Sequence, residues 1–163
     1  AKDHKDAFYL IQNNNVNCTI HAGEAFGPES IAQALHYCSA HRIGHGTHLK
    51  RDGDLLNYVN DHRIPLEICL TSNVQTKACP DISVHPFRFY YDFGIRVTIN
   101  TDNRLMSNTR VTDELWLAAE TFDLSFMDVK NIIINGFKSS FLHYRDKVQL
   151  LQDVLPELGR TLL

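Results

Sequence analysis

Apolar positions along the chain alternate between two periods. Val16 to Ile20, Pro65 to Leu70 and Ile95 to Asn100 are short, largely apolar runs of strand length, and Arg42 to His45 is a very short strand candidate, weak by propensity. The intervening segments carry apolar residues every three to four positions, the spacing of a helix with one buried face. Such helices are expected at Lys5 to Asn13, from Pro28 to about Ser39, at Asp54 to Asp61, and from Pro86 to a stop at Gly94. Further helices are expected at Thr112 to Phe122, from the capping-box-like Ser125-x-x-Asp128 through Asn135, and at Arg145 to Leu155. Strand followed by helix, repeated at a pitch of roughly 25 to 30 residues, predicts an α/β fold of βα units around a parallel sheet.

Polar residues then fall into a pattern. The four runs end at His21, His45, Thr71-Ser72-Asn73 and Thr101-Asp102, and Glu24 lies three residues beyond His21. In a barrel of βα units the carboxyl ends of the strands form one rim, and catalytic groups collect there. Gly44 and Gly46 flank His45, which suits either close approach of a ligand or a tight turn. Singly, each residue has a plainer reading: Glu24 as an acid near a helix start, Asp102 as a turn residue, Thr71-Ser72-Asn73 as a polar loop. The remaining histidines, among them His85, fall on helices or loops and read as structural. Neutral imidazole and carboxylate together suit zinc, with a further position left for water. His21 and Asp102 make one ligand pair, which is too few for a catalytic zinc.

Composition narrows the setting. With 163 residues, 44% of them hydrophobic, the chain suits a single piece with a packed core. A net charge of −3, with Lys50-Arg51 the only adjacent basic pair, argues against nucleic-acid and anionic-membrane partners. No apolar run approaches the ~20 residues of a membrane span, and Ala1 to Leu10 lacks a signal-peptide core. Cys18, Cys38, Cys69 and Cys79 show no C-x-x-C spacing and read as free thiols, which suggests a reduced, cytosolic setting.

"HAGE" at His21 to Glu24, "RIGHG" at Arg42 to Gly46, "ICLTSN" at Ile68 to Asn73 and "INTDN" at Ile99 to Asn103 together resemble the carboxyl-terminal half of the adenosine deaminases. The order and intervals match over roughly Val16 to Leu158. The resemblance implies half of a (β/α)8 TIM-type barrel, its last four βα units, with the amino-terminal half outside this chain. It also implies one zinc ion per site, with His21 and Asp102 as ligands. Glu24 would protonate purine N1, His45 would assist attack by water, and adenosine or deoxyadenosine would become inosine plus ammonia. Asn103 stands where a second aspartate often holds purine N7, and Arg104 where proline is common. The family's H-x-H zinc motif does not occur in this sequence. The chain alone is therefore expected to be inactive, with its sheet edges prone to self-association. A related adenine or AMP deaminase, and a non-catalytic half-barrel scaffold or subunit, are the alternatives.

Overall fold

A computed structural model of the chain describes residues 2–160. Four strands, β1 (Thr19–Ala22), β2 (Arg42–His45), β3 (Leu66–Ile68) and β4 (Val97–Ile99), form one parallel sheet in the order β1-β2-β3-β4. Sequential order without a reversal belongs to a barrel wall; a doubly wound sheet reverses direction at a switch point. Helices α1 (Lys5–Asn13), α2 (Pro28–His36), α3 (Gly53–Asp61), α4 (Leu70–Gln75), α5 (Phe87–Phe93), α6 (Arg104–Ser107), α7 (Val111–Phe122), α8 (Phe126–Ser139) and α9 (Tyr144–Arg160) surround and follow the strands.

Alternation along each strand divides the sheet's two faces. Ile20, Ala22, Ile43, Leu66, Ile68, Val97 and Ile99 enter one core with helical residues such as Ile31, Leu35, Val59, Phe87, Ala118 and Ile132. The register runs a second row across the other face: His21 beside Gly44, Gly44 beside Glu67, and Glu67 beside Thr98. That face is polar. Glu67 accepts a hydrogen bond from Thr19 and pairs with Arg42 at 3.0 Å. Among the described residues β1 and β4 each have one unpaired edge. A cavity of about 310 Å³ lies beside β4, lined in part by Thr98, Ile99, Leu115, Ile132 and Phe137.

The expected elements need adjustment at their ends. Val16 is not in a strand: its N–H bonds Ile11 O and closes α1 through a left-handed Asn15, so pairing starts at Thr19. β3 stops at Ile68, because Leu70 already begins α4. Thr71-Ser72-Asn73, expected as a loop, is the body of that helix. α8 continues to Ser139, four residues past the expected end, and α9 runs through Pro156. The capping box forms as expected: Ser125 Oγ accepts from Asp128 N–H, and the Asp128 carboxylate accepts from Ser125 N–H. Gly94 ends α5 in a left-handed conformation at φ 95°. All four cysteines are free, and burial pushes the Cys69 thiol up to about 12. No helix among the described residues is long and apolar enough to cross a membrane.

Candidate active site

His21 projects from the second-last position of β1 onto the polar face, where its ring lies over Gly44. A Cβ at position 44 would stand 2.6 Å from His21 Cδ2, so only glycine leaves the ring its place. His45 reaches the same mouth by a different route. Its register partner is Ala22, whose side chain belongs to the core face, so plain alternation would bury His45 among the helices. The backbone instead turns left-handed at His45 (φ 68°) and again at Gly46 (φ 65°). The His45 ring then meets His21 edge-on, with centroids 4.6 Å apart. Gly46 thus serves the turn, and the space left by Gly44 is filled by His21. Tyr90, fully buried, fixes the loop beyond: its hydroxyl lies 3.0 Å from the carbonyls of Gly46 and Thr47 and accepts from Lys50 N–H.

Three sequence-expected residues come together. His45 Nε2 lies 3.4 Å from His21 Nδ1 and 3.5 Å from Glu24 Oε2, and one ligand atom from each residue fits within a 4.8 Å cluster. Glu24 is steadied by Thr76, whose hydroxyl donates to Oε1 at 2.9 Å. Asp102 is not in that tight cluster. It follows β4 through a left-handed turn (φ 55°) and accepts a 2.7 Å hydrogen bond from Ser72 on α4. That bond, followed by the charges of His45 and His21, holds the Asp102 carboxyl below the usual carboxylate range. Burial pushes the His45 imidazole down, against the opposing pull of Glu24. Asn103 caps α6, with Oδ1 accepting from Met106 N–H at 3.2 Å, which leaves its amide N–H groups as donors.

Two further residues belong to this neighbourhood: Asn73, expected in a polar loop, and His85, expected to be structural. Asn73, on α4, has Nδ2 3.0 Å from His45 Nδ1, and its Oδ1 lies 3.1 Å from His85 Nε2. Both side chains are buried. α4 is itself anchored by Glu114, which is 1% exposed and accepts from Thr71 N–H and from the Thr109 hydroxyl. A surface hollow of about 850 Å³ along Arg104 to Asp113 contains none of the clustered residues.

A cation fits the chemistry of this rim: an exposed imidazole at His21 and a hydrogen-bonded carboxylate at Asp102 are both suitable donors for zinc. Two donors still leave a tetrahedral site incomplete.

Fold and site together define a βα-repeat protein of the barrel-wall type, with its polar groups on the carboxyl-terminal rim of a parallel sheet. The chain belongs to the adenosine deaminase family, whose model matches residues 1–156. It is 41% identical to the adenosine deaminase of Mycobacterium ulcerans over 163 residues, covering 93% of this chain and 45% of that protein. Among solved structures it resembles an Arabidopsis N6-mAMP deaminase (TM-score 0.83, 27% identity, 94% of this chain and 45% of that one). An adenine deaminase from Arthrobacter aurescens shares the fold at TM-score 0.91 and 23% identity, over 97% of this chain and 48% of that one. The chain thus spans about half the length of these relatives.

Proposed function

We propose that this chain forms the carboxyl-terminal half of a zinc-dependent deaminase that converts adenosine and water to inosine and ammonia. The observation that carries the reading is the meeting of His21, Glu24 and His45 at one mouth, with Asp102 set beside them by Ser72. His21 and Asp102 would hold the metal, with the remaining donors coming from outside this chain. Bound zinc supplies acidified water at neutral pH. Glu24, oriented by Thr76, delivers a proton to purine N1 and so makes C6 electrophilic. His45 aligns the water oxygen for attack on C6, and Asn103 donates an amide N–H to N7. As the C6–N bond breaks and C6=O forms, the proton of the C6 hydroxyl passes to the amino group, which leaves as ammonia, and N1 keeps the proton from Glu24. Adenosine is the preferred substrate class because the 41% identical relative is an adenosine deaminase; AMP is the competitor, supported by the N6-mAMP deaminase likeness. The unpaired edges of β1 and β4, with the cavity beside β4, suit docking of the rest of the barrel. Four free cysteines suit a reducing, cytosolic compartment.

The test is an assay of the full-length protein on adenosine, adenine and AMP, before and after chelation. Adenosine turnover that is lost on chelation and restored by zinc is expected, and the 163-residue chain alone should be inactive. Adenosine turnover by the isolated chain would refute the half-site assignment. A full-length protein inactive on all three substrates would refute the enzyme.

A further inference from the structure

Behind His45 runs a buried chain of hydrogen bonds whose direction is fixed at its far end. Phe87 N–H donates to His85 Nδ1 at 3.0 Å. A backbone N–H can only donate, so His85 Nδ1 carries a lone pair and the ring's proton sits on Nε2. Burial favours this neutral ring by pushing the His85 imidazole down to about 4. His85 Nε2–H therefore donates to Asn73 Oδ1, and the Asn73 amide N–H donates to His45 Nδ1. The opposite orientation of the Asn73 amide is closed off, since it would require both His85 nitrogens to accept. Asn73, His45 and His85 are 0%, 1% and 4% exposed, so water does not stand in for any member.

We propose that Asn73 and His85 are positioning residues that lock His45 in its Nε2–H tautomer, so that the ring offers the mouth a donor and no lone pair. Two consequences follow. His45 is excluded as a metal ligand, although one atom each from His21, Glu24 and His45 lies within 4.8 Å of the others. A cation is left to His21 and Asp102. His45 also acts on the attacking oxygen as a hydrogen-bond donor, aligning it and stabilising negative charge that develops there. This second consequence rests on the deaminase reading; the tautomer itself does not.

The experiment uses the full-length protein with 15N-labelled histidine, and long-range 1H–15N correlations to assign each ring's protonated nitrogen. In the wild type, His45 is expected to carry its proton on Nε2 and His85 likewise. Asn73→Asp, near-isosteric, puts an acceptor against His45 Nδ1 and should move the proton to that nitrogen. In the same variant kcat on adenosine should fall by about 10²-fold or more, with KM and zinc content little changed. A structural role alone would lower stability and metal content and leave the tautomer in place. An Nδ1–H tautomer at His45 in the wild type would overturn the proposal, as would wild-type kcat in Asn73→Asp. The spectrum decides the tautomer even if the protein turns over no purine, so the two readings fail separately.

Discussion

Gly44→Ala tests the placement of His21 without touching any polar group. Gly44 does not occupy the left-handed region, so alanine brings no backbone strain; the conflict is purely one of space. The added Cβ would stand 2.6 Å from His21 Cδ2 and 3.3 Å from Nε2. Carbon atoms in contact prefer about 3.5 Å or more, so the ring must retreat by about 1 Å. Nδ1 already stands 3.4 Å from His45 Nε2, and the His21 Cα would be 3.4 Å from the new methyl. Retreat therefore displaces the ring within the site. A misplacement of about 1 Å costs on the order of 10²-fold in rate, or about 2.7 kcal/mol of transition-state stabilisation. Overpacking adds about 1–3 kcal/mol of lost stability, which thermal unfolding measures separately. The assay is kcat/KM of the full-length protein on adenosine, with zinc content measured alongside. Gly53→Ala is the control, because a Cβ there meets nothing within 4 Å; its activity should be unchanged. Wild-type kcat/KM in Gly44→Ala would show that the site does not depend on the His21 ring lying where it does.

Glu114→Ala should destabilise the protein by about 2–4 kcal/mol, since it orphans Thr71 N–H and the Thr109 hydroxyl. Denaturant unfolding measures the loss, and kcat should fall with it because α4 carries both Ser72 and Asn73; a change below about 0.5 kcal/mol would contradict the anchoring role. His85 predicts a pH dependence: its folded value near 4 lies below the unfolded 6.5, so the unfolded chain binds the extra proton. Its contribution, up to about 3 kcal/mol, is present above pH ~6.5 and is lost as pH falls toward ~4. The stability gap between wild type and His85→Gln should therefore narrow over that range, and a constant gap would refute the buried neutral ring.

The βα order was legible because Pro65 to Leu70 and Ile95 to Asn100 read as short apolar runs, and because Pro28, Gly94 and Ser125 punctuate helices in ways that depend only on local chemistry. β2 is the instructive case. Arg42-Ile43-Gly44-His45 is a poor strand by propensity, yet parallel pairing with β1 on one side and β3 on the other makes it a central strand. α4 was hidden for the converse reason. Thr71, Ser72 and Asn73 are residues that compete with a helical backbone, and the helix stands because Glu114, 43 positions away, accepts the Thr71 N–H at its first turn. No local pattern carries that information.

The site divides along the same line. His21, Glu24, His45 and Asp102 were legible at or just beyond run ends, and Asn73 as one of the polar ends; that Asn73 and His85 stand behind His45 was not, because an asparagine or histidine in sequence looks the same whether buried or wet. Alternation even misdirects for His45, whose register partner Ala22 faces the core. What corrects the direction is backbone strain: His45 at φ 68° and Asp102 at φ 55° each cost about 1–3 kcal/mol, where glycine would cost little. Ser39, Arg63, Lys77 and Asp123 also take positive φ outside this site, so the strain by itself does not mark the rim. What sets His45 and Asp102 apart is that each left-handed turn delivers a side chain held at the rim, one by Asn73 and the other by Ser72. His45→Gly should accordingly relieve strain at φ 68° while emptying a fully buried ring's space, so its stability change is a difference of opposing terms, whereas its effect on turnover has one sign only.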